Sequence, residues 1–166
     1  MDPLTITTAV ITIAGATCKS YDQISKIVSL IRQAPKEVEA IQSRAGSINS
    51  IVVNLKEALE ETAIREVVVR DALALKHVKA LDEPLHAACS TLDEVLERFK
   101  KDYKHTNDGQ TYKIRWQYYL NTSAWVALQA RLRDHIQVLN TSMQGLNTSV
   151  MPRAPSYHGC LFVLTP

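Results

Sequence analysis

Residues 36–59 decide the fold: Lys36-Glu37-Val38-Glu39-Ala40-Ile41-Gln42-Ser43-Arg44-Ala45-Gly46-Ser47-Ile48-Asn49-Ser50-Ile51-Val52-Val53-Asn54-Leu55-Lys56-Glu57-Ala58-Leu59. Val38, Ile41, Ala45, Ile48, Val52, Leu55 and Leu59 follow one another at steps of three and four without a miss. Such steps keep apolar side chains on one side of a 3.6-residue helix, so the segment predicts a helix with one narrow seam to bury. Working outward, Leu85, Cys89, Leu92, Leu96, Phe99 and Tyr103 keep similar spacing, as do Trp125, Leu128, Leu132, Ile136, Leu139, Met143 and Leu146. A shorter stripe runs through Ile64, Val68, Ala72, Leu75 and Val78, and a long one through Ile6, Val10, Ile13, Thr17, Tyr21, Ile24, Val28 and Ile31. A stripe needs a partner to cover it, so the prediction is all-α: a single bundle of about five to six helices with a long N-terminal helix.

Punctuation agrees. Pro3, Pro35 and Pro84 stand where helices should begin, each near an acidic residue that complements the helix dipole. Helices are expected near 3–33, 36–62, 65–80, 83–104, 110–120 and 123–147. Asn107-Asp108-Gly109 reads as a turn and Asn121-Thr122-Ser123 as an N-cap. Residues 1–147 are assigned to the bundle and 148–166 to an irregular C-terminal tail. The β-branched density from Thr5 to Ile13 is the stretch that most resists a helical reading.

Composition narrows the function classes. The chain has 166 residues, 46% of them hydrophobic and 22% charged, which fits an ordinary globular domain rather than a disordered one. Its five glycines lie at least fourteen residues apart, which excludes the Gly-rich phosphate loops of nucleotide-binding proteins. Cys18, Cys89 and Cys160 are too few and too scattered for a disulfide framework, which suits a reducing compartment. His86 and Cys89 could share a helical face as half of a zinc site, but no second pair has comparable spacing. His135 beside Asp134 reads as a helix-surface pair, and the neighbours Glu60-Glu61 and Asp93-Glu94 point to different sides of a helix. No catalytic, cofactor or metal residues are assigned, and a non-enzymatic protein is expected.

Charge is uneven. Residues 1–97 carry ten Lys/Arg against fourteen Asp/Glu, and residues 98–166 carry nine against three. Lys100, Lys101, Lys104, Lys113 and Arg115 form the candidate basic patch, with Arg98, Arg131 and Arg133 adding to the excess. Lys113, Arg115 and Trp116 interleave with Tyr112, Tyr118 and Tyr119, a mixture that suits an anionic membrane interface or stacking on nucleic acid. The competing reading is a solvated helix face with Trp116 and Trp125 closing the core, and nucleic acid is the least favoured partner. Asn121, Asn140 and Asn147 each open an Asn-Thr-Ser triplet, read as helix caps and helix-surface residues rather than glycan acceptors.

Pro3 to Cys18 holds sixteen residues without a charge, five of them threonine. The run lacks the positive n-region of a secretory signal and is shorter than the ~20 apolar residues of a membrane span. Its stripe continues past Lys19, which favours a core helix. The conditional alternative is a helix that leaves the bundle and enters a bilayer, with Leu4, Ile6, Val10, Ile11 and Ile13 as the candidate membrane or oligomer residues.

The opening, Met1-Asp2-Pro3-Leu4-Thr5-Ile6-Thr7-Thr8-Ala9-Val10-Ile11-Thr12-Ile13-Ala14, resembles the start of the fungal N-terminal domain of STAND (NLR-like) proteins, a HeLo-like helical bundle family. The resemblance continues at Ala34-Pro35-Lys36-Glu37-Val38, at Ile114-Arg115-Trp116 and through Leu128-Gln129-Ala130-Arg131-Leu132, and spans roughly residues 1–147. It implies a cytoplasmic signalling and protein-interaction module, the effector end of a fungal immune-type receptor, whose partners are a second copy or a STAND receptor homologue. It also implies the alternative of a cell-death effector that associates with the plasma membrane when activated and inserts its first helix. Val150 to Pro166 does not continue the resemblance into a nucleotide-binding or ankyrin region. A truncated gene product and a stand-alone paralogue are the two expectations for that departure.

Overall fold

The structure, a computed structural model, describes residues 2–31, 34–106 and 123–150. They form helices α1 (Pro3–Leu30), α2 (Lys36–Glu60), α3 (Thr62–Arg70), α4 (Ala72–Ala80), α5 (Asp82–Thr106) and α6 (Ser123–Val150), with no strand among the described residues. The fold is the all-α bundle that the spacing predicts.

The threonine-rich start of helix α1 satisfies three of its hydroxyls inside the helix. Thr7, Thr12 and Thr17 each donate to the carbonyl four residues back, at 2.8–2.9 Å. Thr7 and Thr17 can therefore sit in the core without an unmet hydroxyl, whose burial would otherwise cost roughly 1–3 kcal/mol. Pro3 takes the first helical position, where its missing N–H costs nothing.

The four long helices stand at the corners of a square. α1 packs on α2 and α5, α6 packs on α2 and α5 from the far side, and α1 and α6 face each other diagonally. Ser25 meets Gln42, and Tyr21 lies over Gly46, so α1 and α2 run antiparallel. Ser20 meets Asp93 while Ile13 shares a groove with His86, so α1 and α5 run parallel. Phe99 stacks on Trp125 and Glu94 meets Arg131, which makes α5 and α6 antiparallel. The short helices α3 and α4 close the end of the bundle where α1 and α5 begin and α2 and α6 finish.

The seams are buried much as their spacing requires. Every apolar position of the α2 stripe is in the core, and so are Trp125, Leu128, Leu132, Leu139, Met143 and Leu146 of α6. The α5 face is wider than its stripe: Ala88, Thr91 and Val95 are buried as well, because this helix touches α1 on one side and α6 on the other. In α1, Ile13 and Tyr21 are half-buried, whereas the small Ala14 and Ser20 take up core positions.

Three boundaries depart from expectation: α1, expected to reach 33, ends at Leu30 with Ile31 extended. The helix predicted over 65–80 is two helices, broken at Asp71, which adopts an extended conformation. Its carboxylate accepts from the Leu73 and Ala74 amides at 2.8 and 2.9 Å, capping α4. The break shifts the buried phase to Ala74, Val78 and Leu81, leaving Ala72 exposed. The last helix extends to Val150 rather than 147, and Ser149 and Val150 are buried at its end. The helix expected over 110–120, the Asn107–Gly109 turn, Asn121 and residues 151–166 lie outside the described residues.

Candidate functional site

The residues singled out in α1 divide between inside and outside. Ile6 and Val10 belong to the core, Ile11 and Ile13 are half-buried against it, and Leu4 is 47% exposed. Outward from Leu4 the helix presents Thr5, Thr8, Thr12 and Ala16, a ridge with no charge on it. Beside this ridge an open groove of about 620 Å³ runs between α1 and the start of α5, lined by Leu4, Thr5, Thr8, Ala9, Thr12, Ile13 and His86. Threonine methyls and aliphatic carbons make its walls mostly apolar. His86 stands at its edge, 3.9 Å from Asp82 on its own helix.

Three of the basic residues have carboxylate partners. Lys100 bonds Glu97 at 2.7 Å, and Arg98 reaches Glu94 at 3.4 Å. Arg131 of α6 also bonds Glu94, so one carboxylate ties α5 to α6 and serves two guanidinium groups. The hydrogen bond from Arg131 holds the Glu94 carboxyl below its ordinary value, with Arg98 adding to the effect. Lys101 and Arg133 are exposed, and Lys104 falls on the last turn of α5. Lys113, Arg115, Trp116 and their neighbouring tyrosines lie outside the described residues. Trp125, expected to close the core, is buried with its ring 5.0 Å from that of Phe99.

His135 corrects the sequence reading. It is not a surface partner of Asp134 but half-buried, with Nε2 2.9 Å from the hydroxyl of buried Thr91 on α5. Burial pushes its pKa down, Arg131 one turn away pushes the same way, and Asp134 opposes them. Asp93 and Glu94 do point apart: Asp93 accepts from Ser20 of α1 at 2.5 Å, and Glu94 faces α6. On the other side of α6, Arg44 of α2 donates to Gln129 at 2.8 Å. These contacts hold helices together.

Cys89, expected in the core stripe, is half-buried, and burial raises its thiol pKa against the pull of the Thr17 hydroxyl. Cys18 is likewise raised by burial, opposed by Lys56. A raised pKa leaves less of each thiol as the reactive thiolate at neutral pH. Among the described residues, no group of three or more His, Cys, Asp or Glu is placed to hold a metal ion. No helix among them is long and apolar enough to cross a membrane.

A second surface was not legible in the sequence. Val69 and Leu73 are exposed beside the α3–α4 break, and Val69 lines a smaller groove with Leu4, Arg65 and Arg70. The Asp71 cap was the available signal, since it ends one stripe and starts another. The chain matches no protein-family model, no curated protein and no solved structure.

Proposed function

We propose that the protein is a non-enzymatic signalling and protein-interaction module of the kind its opening resembles, the N-terminal effector domain of fungal NLR-like receptors, acting through a second copy or a STAND receptor homologue. The observation that carries this reading is the uncharged ridge of α1 with its mostly apolar groove, at the end of the bundle where Leu4 stands in solvent. A chain with 22% charged residues that keeps one helix face free of charge has a surface suited to another protein's apolar side chains.

Light scattering after size exclusion across a concentration series tests it, together with binding to a receptor homologue. Thr8→Arg and Thr12→Arg place charge on the ridge without touching the core, and each should weaken association roughly tenfold or more. A wild-type protein that stays monomeric at high concentration and binds no homologue overturns the reading.

The membrane-active reading draws on the uncharged run from Pro3 to Cys18 and on the internally bonded threonines. It requires Ile6 and Val10 to leave the core. Dye release from anionic vesicles separates the two readings: leakage abolished by Ile13→Glu but kept in Lys26→Glu would favour insertion, and absence of leakage would favour the interaction module.

A further inference from the structure

The smaller groove, of about 300 Å³, lies between the start of α1 and the outer side of α3, lined by Leu4, Thr62, Arg65, Glu66, Val69 and Arg70. Two of these are apolar side chains that the fold leaves in water, Leu4 at 47% and Val69 at 44% exposure. Two more are cations. Arg70 stands four residues after Glu66 on α3, in the order that favours an ion pair along a helix, and Arg65 follows Glu61, the residue just before that helix, by four. The same spacing does pair Lys56 with Glu60 and Arg98 with Glu94. Yet among the described residues neither Arg65 nor Arg70 forms an ion pair, and both line the groove instead.

We propose that this groove is the docking site for an acidic, apolar-faced helix of a partner protein. Two guanidinium groups that form no ion pair among the described residues match carboxylates on the incoming helix, and a guanidinium binds a carboxylate through two parallel hydrogen bonds. Leu4 and Val69 offer contact to aliphatic side chains presented one turn apart, as in other helix-in-groove complexes. Exposed apolar side chains beside cations suit a partner that carries both aliphatic groups and acids, as an amphipathic helix does. Glu66 lies inside the same groove and disfavours partners whose acids are placed against it. The proposal rests on the interaction-module reading and supplies the chemistry of the partner.

The test uses the full chain and a fluorescein-labelled helical peptide with leucine on one face and glutamate on the other, beside the same peptide with lysine for every glutamate. The glutamate peptide should bind and the lysine peptide should not. Arg65→Glu and Arg70→Glu should each weaken binding roughly tenfold or more, Arg70→Gln by less, and Arg133→Glu on α6 should change nothing. Circular dichroism confirms that each variant is folded. Equal binding of the two peptides, or binding indifferent to Arg65 and Arg70, overturns the proposal. So does arginine-dependent binding to phosphatidylserine vesicles without peptide binding, which would assign the groove to lipid. If the glutamate peptide fails to bind while the protein still associates through the α1 ridge, the groove proposal falls and the module reading stands. Peptide binding that depends on Arg65 and Arg70 supports the groove whether or not the ridge variants change self-association.

Discussion

His135 shows how much a single side chain can conceal in a sequence. Beside Asp134 and two residues after Arg133, its letters describe a solvated pair. In the fold it faces α5 and meets the Thr91 hydroxyl, in a setting that disfavours imidazolium. Its folded-state pKa lies below the ordinary 6.5, so as pH falls the unfolded chain takes up this proton before the native one does. The neutral histidine's contribution is intact above about pH 6.5 and is lost progressively as pH drops toward the folded-state value. His135→Gln keeps a polar group for Thr91 and cannot charge. Urea denaturation should show wild type losing more stability than this variant between about pH 7 and pH 5. Equal losses would mean that the ring reaches solvent when charged.

Helix-level behaviour depends on where each helix meets its neighbours, and two glycines make the contrast. A Cβ added at Gly15 of α1 meets nothing within 4 Å, whereas one added at Gly145 of α6 would sit 2.9 Å from Nδ1 of His77 on α4. Glycine inside a helix costs about 1 kcal/mol relative to alanine, so Gly15→Ala should stabilise the protein by about that much. Gly145→Ala should show no such gain, because the His77 ring must move; in a His77→Ala background the gain should return. Thermal denaturation of the four variants measures both. The sequence signals the helices around these glycines and is silent on which glycine lets two helices approach. The α3–α4 break has the same character. Asp71 before Ala72-Leu73-Ala74 is a sound cap signal, but the stripe through Ile64, Val68, Ala72, Leu75 and Val78 crosses it with near-helical spacing and hides it. Arg65 and Arg70 stay hidden for a related reason: in the letters they are ordinary surface cations, and only the fold places them in one groove with Leu4.

At the scale of the molecule, one connected core runs through all six described helices, from Ile6 and Val10 in α1 to Met143 and Leu146 in α6. A shared core predicts that the helices unfold together, so tryptophan fluorescence and far-ultraviolet circular dichroism should trace the same denaturation curve. Leu55→Ala, in the middle of the α2 seam, should lower stability by about 2–5 kcal/mol and shift both curves equally. Separated curves would show that part of the bundle opens on its own. This core was legible because seams at steps of three and four state which faces must meet. Which seam faces which was not legible, since any apolar stripe covers any other. The square arrangement depends instead on contacts such as Ser20 with Asp93, Arg44 with Gln129 and Glu94 with Arg131. The threonine hydroxyls of α1 bear on what this arrangement permits. Because Thr7, Thr12 and Thr17 are satisfied by carbonyls of their own helix, the helix brings its hydrogen-bond partners along wherever it goes. An exchange of neighbours, whether for another copy, another protein or a less polar medium, would break its packing and leave these hydroxyls answered. Five threonines in a sixteen-residue run look like a tether to water in the letters; in the folded helix, three of them are part of a self-contained rod.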